Sequence, residues 1–385
     1  MINVAKKAPQ RPGKKLLIAA NTSWYLHNFR LPFIRELQTR GIEVVAVAPR
    51  DTWSEELERL GVRYIELPMS RRGLNPLVDA GLMRRFLRIF RDERPDFAFH
   101  NTIKPVIYGS AAARRAGVRC VVNMIPGLGY VFIGKGAIHR ILRPLVKMMY
   151  KLALRDSHRV FFQNQDDLDY FVDGGIVERS RATVTLGSGV DLERFYFVEP
   201  VLTQPGCVFL FVGRLLWDKG VGEFVDAAKD LKRRHDGLRF LLLGRLDPGN
   251  PAGVDVKVVE AWEQKGYVEY LGELPDVRPQ IAKADVVVLP SYREGVPKAL
   301  LEAMAMGKPI ITTDAPGCKE TVVDGRNGML VPPRDVDGLI KAMEKMILDP
   351  EARVRMGREG REVASERFDV KEVNAILLDS LKPYI

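Results

Sequence analysis

Glu294 and Glu302 lie eight positions apart in the stretch SYREGVPKALLEAMAMGKPIITTD, residues 291–314. The first carboxylate falls in a loop made by Gly295, Val296 and Pro297. The second falls in the small-residue helix that follows, with Lys298 between them. Ionised carboxylates accept hydrogen bonds from hydroxyls, so the pair can hold two polyols some distance apart. Pro297 suits a first helical position, where its missing N–H loses nothing. Gly295 lets backbone approach a ligand closely. At 3.6 residues per turn, Glu302 sits roughly a turn and a half inside the helix. The amides at the helix start, with the Lys298 ammonium, favour an anion. Upstream, Gly213 closes an apolar run and opens RLLWDKG, in which Arg214 and Lys219 bracket a turn before a helix. Two cations there suit a diphosphate, although a pair of surface cations reads equally well from these residues alone. Taken together the motifs fit a nucleotide-sugar, with hydroxyls at both ends and phosphates between. A capping Glu plus a core-facing helical Glu is the plainer alternative, and it leaves EGVPK unexplained.

These residues need strands that end beside them. Seven apolar runs fill the first half: KLLIAAN, EVVAVAP, RYIEL, DFAFHN, RCVVNMI, RVFFQN and ATVTLGSG. Six fill the second: CVFLFVGRL, RFLLLGR, VEYLG, DVVVLP, PIITTD and GMLVP. Helical stretches alternate with them, including FRLPFIRELQTRG, LVDAGLMRRFLRIFRDE, PVIYGSAAARRAG and AIHRILRPLVKMMYKLALR. Near-continuous Val/Ile/Leu runs between helices predict parallel sheets covered on both faces. Two such series predict two doubly wound α/β domains. The boundaries expected are 1–197, 198–366 and a helical tail over 367–385 that packs back on the first domain. Ligands of such sheets bind outside the carboxyl ends of the strands, which places the site in a cleft between the domains.

The three cysteines, Cys120, Cys207 and Cys318, are far apart and form no CxxC pair. That spacing argues against a disulfide framework and a structural zinc site, and suits a reducing cytoplasm. MINVAKKAPQRPGKK lacks an apolar h-region, so no signal peptide is expected. No run approaches the roughly 18 apolar residues of a membrane span. No G-x-G-x-x-G follows the first strand and no Walker A motif is present, which leaves NAD and P-loop readings without support. Asp167-Leu168-Asp169 and Asp335-Val336-Asp337 have the Asp-x-Asp spacing of metal-dependent sites. Both stand at polar helix openings, where N-capping accounts for them. No essential metal and no cofactor are expected.

Charge is uneven. Up to Phe197 there are 32 Lys and Arg against 19 Asp and Glu, and beyond it 27 against 30. The basic half suggests an anionic surface as partner. Arg140, Arg143, Lys147, Lys151 and Arg155 recur every three or four residues and form one helical stripe. Ile138, Ile141, Leu142, Leu145, Met149 and Leu152 are expected on the opposite side. Pro144 either kinks this helix or marks its start. Such a helix either lies on a membrane surface or packs as an ordinary surface helix. Arg84, Arg85, Arg88, Arg91, Arg114, Arg115 and Arg119 add to the field, each worth about 1 kcal/mol near an anionic leaflet. Nucleic acid is not expected as a partner.

EGVPKALLE, with VGRLLWDKG upstream and ADVVVLPS before it, resembles the signature of family 4 retaining glycosyltransferases of the GT-B fold. The resemblance implies two Rossmann-like domains facing each other across a cleft. It implies that Glu294 contacts the donor hexose and Glu302 the ribose hydroxyls, while Arg214 and Lys219 hold the diphosphate and stabilise the leaving group. ANTSWYLHNFR, NTIKPVIYGS and GLGYVFIG look like a narrower bacterial group acting on undecaprenyl-diphosphate-linked sugars, including N-acetylgalactosaminyltransferases and enzymes of O-antigen and capsule synthesis. That likeness implies a UDP-sugar donor, a polyprenyl-diphosphate-linked acceptor and a peripheral position on the cytoplasmic membrane face. Many members carry a Gly-Gly loop after the first strand. Here Asn21, Thr22 and Ser23 stand in its place, as expected donor-phosphate contacts. His100 is read as a catalytic group at a strand end or as a histidine without chemistry. Arg30 and Lys104 are expected to meet an anionic acceptor. A UDP-sugar 2-epimerase of the same fold is the rival reading, opposed by the EGVPKALLE spacing and the basic helix.

Overall fold

The computed structural model describes residues 14–70, 76–128, 132, 137–199 and 206–383. The extreme N-terminus and much of GLGYVFIG lie outside them. The chain divides into two units. One comprises Met1–Phe161, Asp169–Thr183 and Leu377–Ile385, the other Phe162–Leu168 and Val184–Ile376.

The N-terminal unit holds β1 (Lys15–Ala19), β2 (Glu43–Ala48), β3 (Arg63–Glu66), β4 (Phe97–Asn101), β5 (Cys120–Ile125), β6 (Arg159–Phe162) and β7 (Ala182–Val184) in the order β3-β2-β1-β4-β5-β6-β7. Strand β1 pairs in parallel with β2 and β4, and β4 with β5. Every residue of β4 and β5 is buried, as strands covered on both faces require. The covering helices are α1 (Ser23–Thr39), α2 (Thr52–Arg59), α3 (Pro76–Glu93), α4 (Ser110–Ala116) and α5 (Ala137–Leu154); α6 (Gln165–Asp173) follows β6, and its first residues, through Leu168, belong to the other unit. Helix α1 begins earlier than the apolar pattern suggests, because Thr22 caps it by accepting from the Tyr25 amide at 3.0 Å. Pro144 lies within α5 and so does not mark its start.

In the C-terminal unit β8 (Cys207–Val212), β9 (Leu238–Leu243), β10 (Glu269–Tyr270), β11 (Val286–Leu289), β12 (Ile310–Thr313) and β13 (Gly328–Val331) run in the order β10-β9-β8-β11-β12-β13. All the pairings in this sheet are parallel. Helices α7 (Val221–Leu231), α8 (Val256–Gln264), α9 (Arg278–Lys283), α10 (Lys298–Ala305), α11 (Val336–Leu348) and α12 (Pro350–Arg367) surround it, and α13 (Val370–Leu381) follows. The reversal of strand order falls between β8 and β11, where doubly wound sheets open their ligand crevice. Leu377, Leu378 and Leu381 belong to the apolar core of the N-terminal unit, with Leu26, Ile34 and Leu37.

Candidate functional site

Strands β8 and β11 are neighbours, so the loops leaving their carboxyl ends share one edge of the sheet. Gly220, at φ +74°, turns the β8 loop into α7, and a Cβ there would lie 2.1 Å from the Pro290 carbonyl oxygen. The Asp218 carbonyl accepts from the Tyr292 amide at 2.9 Å and from Ser291 Oγ at 3.2 Å. This stitching brings two motifs 75 residues apart into contact: Lys219 Nζ donates to Glu294 Oε1. Gly213 begins the same loop, its amide donating to the Leu243 carbonyl at 2.9 Å. Arg214 follows with its guanidinium 3.2 Å from Asp247 and its side chain 45% exposed. An ammonium and a guanidinium therefore stand at one strand edge, each with a carboxylate partner.

Pro297 is the residue before α10 rather than its first helical residue, and Lys298 starts the helix. Val296 is buried, its side chain lying where a Gly187 Cβ would fall. Glu302 occupies the fifth position of α10, with Lys298 Nζ 3.6 Å away. Burial pushes the Glu302 carboxyl above its ordinary range, against the opposing pull of Lys298 and Arg194. A desolvated carboxylate is suited to accept hydrogen bonds from ligand hydroxyls.

The N-terminal unit treats its expected site residues differently. The Asn21 amide donates to Thr102 Oγ1 at 3.1 Å. The Thr22 hydroxyl serves as the α1 cap, and Ser23 Oγ donates to Asp51. Both hydroxyls expected at a phosphate are thus engaged in local structure. Arg30 is not on a surface: it is 1% exposed, donates to Asn101 Oδ1 at 2.8 Å and Tyr25 Oη at 3.2 Å, and faces the Phe99 ring at 5.5 Å. Lys104 is buried with Asp79 at 2.7 Å, and Tyr108 donates to the same carboxylate at 2.9 Å. An open cleft of about 600 Å³ in this unit is bordered by Arg50, Met69, Val78, Asp79 and Arg85, of which only Arg85 is among the basic residues expected at an anionic surface.

His100 is fully buried, not at an accessible strand end. Its Nδ1 lies 3.2 Å from Asn123 Oδ1 and its ring packs edge-on against Phe86 and Phe90. Burial lowers its pKa to about 4. The unfolded chain protonates this imidazole near 6.5. Between those values the unfolded state binds more protons, so stability falls as pH drops through the window, by about 3 kcal/mol in all. The melting temperature is therefore expected to decline between pH 6.5 and 4, and less steeply in His100→Asn. An identical decline in the variant would assign it to other groups.

Asp335 accepts from the Gly338 amide at 2.9 Å, a true cap of α11. Asp167 departs from the capping expectation. It is buried and pairs with Arg293, and the residue that caps α6 is Asn164, whose Oδ1 accepts from the Asp167 amide at 2.8 Å. Asp169 pairs instead with Arg179. Among the described residues no group of three His, Cys, Asp or Glu is placed to hold a metal ion, and no helix is long and apolar enough to cross a membrane.

Along α5, Arg140, Lys151 and the following Arg155 are exposed, while Arg143 and Lys147 are half-buried. Lys147 Nζ sits 4.5 Å from the Tyr170 ring centroid. The buried face is Val146, Tyr150, Ala153 and Leu154. Leu145 and Leu152, expected on that face, are exposed together with Met148. The side chains of Ile138 and Ile141 lie outside the described residues.

Residues that sequence reasoning missed are Asp247, Asn164, Asp167 and Arg293. Their only signal is the placement of polar residues just past strands, in RLDPGN, QNQDD and SYREG.

Two family descriptions match the chain: "Glycosyl transferase 4-like domain" over residues 30–187 and "Glycosyl transferases group 1" over 197–363. The N,N'-diacetylbacillosaminyl-diphospho-undecaprenol alpha-1,3-N-acetylgalactosaminyltransferase of Campylobacter jejuni is 28% identical over 344 residues, covering 86% of this chain and 89% of that protein. The UDP-Gal:alpha-D-GlcNAc-diphosphoundecaprenol alpha-1,3-galactosyltransferase of Escherichia coli is 28% identical over 305 residues, covering 75% and 76%. Among solved structures, Anabaena HepE in complex with UDP and glucose superimposes with a TM-score of 0.78 at 20% identity, over 96% of this chain and 99% of that one.

Proposed function

Since this chain belongs to the group 1 and 4-like glycosyltransferases and has the GT-B fold, we propose that it moves a hexose or N-acetylhexosamine, N-acetylgalactosamine-like by preference, from a UDP-sugar to a polyprenyl-diphosphate-linked saccharide. In this reading the anomeric configuration is retained and the reaction runs on the cytoplasmic face of the membrane, with the enzyme peripheral to it. The observation that carries the donor assignment is the Lys219–Glu294 contact at the β8/β11 edge, with Arg214 on the same loop as Lys219 and Glu302 at the fifth position of α10. The acceptor class is supported by the two lipid-linked substrates in the relatives' names, and the UDP donor by the second of them.

The chemistry asked of the protein is electrostatic and positional. A donor diphosphate beside Lys219 gives that ammonium a second anionic partner, and Glu294 then accepts from the sugar hydroxyls. Glu302 accepts from the ribose diol. The attacking hydroxyl approaches from the face the diphosphate leaves, and a donor phosphate oxygen takes its proton, so no protein nucleophile is required.

Glu294→Ala and Glu302→Ala are each expected to weaken donor use, since a hydrogen bond lost in a largely preformed site costs about 1–3 kcal/mol. Radiolabelled UDP-sugars incubated with a lipid extract test the whole reading. Label in the lipid fraction supports transfer, and an epimerised free sugar nucleotide supports the isomerase instead. Wild-type turnover of both variants at sub-saturating donor would remove the two glutamates from the donor site.

A further inference from the structure

The loop that carries Glu294 is held from behind by residues far away in sequence. Asn164 is buried, and its Nδ2 donates to the Gly295 carbonyl at 2.9 Å and the Glu294 carbonyl at 3.2 Å. Asp167, one turn on, is fully buried and pairs with Arg293, the residue before Glu294. From the other side the Glu294 amide donates to the Pro316 carbonyl at 2.9 Å. Gly317, at φ +85°, leaves room for the same two carbonyls: a Cβ there would lie 2.2 and 2.3 Å from the Glu294 and Gly295 oxygens.

A trans peptide is planar, and its C=O and the next N–H point in opposite directions. Fixing the carbonyls of Glu294 and Gly295 on Asn164 therefore turns the amides of Gly295 and Val296 the other way. Neither amide has a backbone partner among the described residues. The same anchors fix the stem of the Glu294 side chain, which meets Lys219.

We propose that Asn164 is a positioning residue for the sugar-nucleotide donor, holding the Glu294–Val296 loop through two carbonyls, with the Asp167–Arg293 pair as its second anchor. The proposal rests on the donor assignment above. Asn164 has a competing duty, the cap of α6 through its Oδ1, and the two duties use different atoms. Serine also caps helices well, but has no amide group to reach both carbonyls.

Asn164→Ser is therefore expected to keep the melting temperature near that of the wild type, raise the donor KM by about 10-fold or more and leave the acceptor KM unchanged. Asp167→Asn is expected to shift the donor KM in the same direction, again without moving the acceptor KM. UDP binding by calorimetry separates the two levels of the argument. If the wild type does not bind UDP, the donor reading itself fails. If the wild type binds, Glu294→Ala weakens binding and Asn164→Ser does not, the positioning role is overturned and Asn164 is a helix cap only. Donor and acceptor KM rising together in both variants would likewise overturn it, as general loosening of the fold.

Discussion

Lys219→Ala is expected to lower kcat by about 100-fold while changing the affinity for the donor far less. Removing one preorganised donor from developing negative charge costs about 10²–10³ in rate. Only interactions stronger in the transition state than in the ground state accelerate the step. Charge on the departing diphosphate grows as the glycosidic bond breaks, so an ammonium beside it contributes mostly to kcat. Lys219 is suited to that part. Its side chain is 20% exposed, it contacts the Glu294 carboxylate, and the turn that holds it is packed on the Pro290 carbonyl through Gly220. Arg214→Ala is expected to lose less, because this guanidinium is 45% exposed and shared with Asp247. Solvent screens such a group strongly. Steady-state kinetics with a UDP-sugar, beside UDP affinity measured by calorimetry, tests both. A change confined to KM in both variants would make the two cations ground-state ligands of the donor and nothing more.

This ordering of Lys219 over Arg214 was not available from the sequence, where both are cations at the ends of one loop. The strands were available. Each of the thirteen found among the described residues coincides with a run read from sequence, and the central ones are the plainest, because strands buried on both faces of a parallel sheet read as unbroken hydrophobic segments. Most of the helices followed from alternation, and α2 was not anticipated. Its eight residues, TWSEELER, are mostly polar and bury only Ser54 and Leu57, so no apolar run announces it. Sequence and structure part at polar residues that lie in the core. Arg30, His100 and Lys104 are polar enough to suggest a binding face, yet each is buried. Each has its partner supplied from elsewhere in the chain: Asn101, Asn123 and Asp79. Charged groups are buried when paired, and the partner of Arg30 stands 71 positions away. Nothing in a single sequence marks such a pair. Asp167 is the same case: its place at a polar helix opening suggests a cap, whereas Arg293, 126 positions on, is its partner.

The membrane prediction changes most once the faces of α5 are known. Leu145, Met148 and Leu152 are 47%, 53% and 54% exposed, and their spacing of three and four places them on one strip. Lys151 and Arg155 border that strip, and Arg140 lies one turn nearer the N-terminus, all three exposed. A surface that shows apolar side chains flanked by cations has two means of holding an anionic bilayer: insertion at the headgroup boundary and attraction to the lipid charge. The two respond differently to salt. Attraction weakens as the Debye length shortens from about 10 Å at 0.1 M to about 3 Å at 1 M, and insertion does not. Each basic residue near the surface is worth about 1 kcal/mol. Reversing Arg140, Lys151 and Arg155 to Glu is accordingly expected to weaken binding to anionic vesicles at least about 100-fold at low salt. Leu145→Ser with Met148→Ser and Leu152→Ser is expected to remove the part of binding that survives high salt. Arg143 and Lys147 are poorer targets, since both are half-buried and Lys147 faces the Tyr170 ring. Both sets of changes should slow transfer to a long-chain lipid acceptor and spare a soluble short-chain analogue. Vesicle sedimentation across a salt series, run beside the two acceptor assays, tests this. Binding by both variants that matches the wild type at every salt concentration would leave α5 as a packed surface helix, and the excess positive charge of the first 197 residues would then require a different anionic partner.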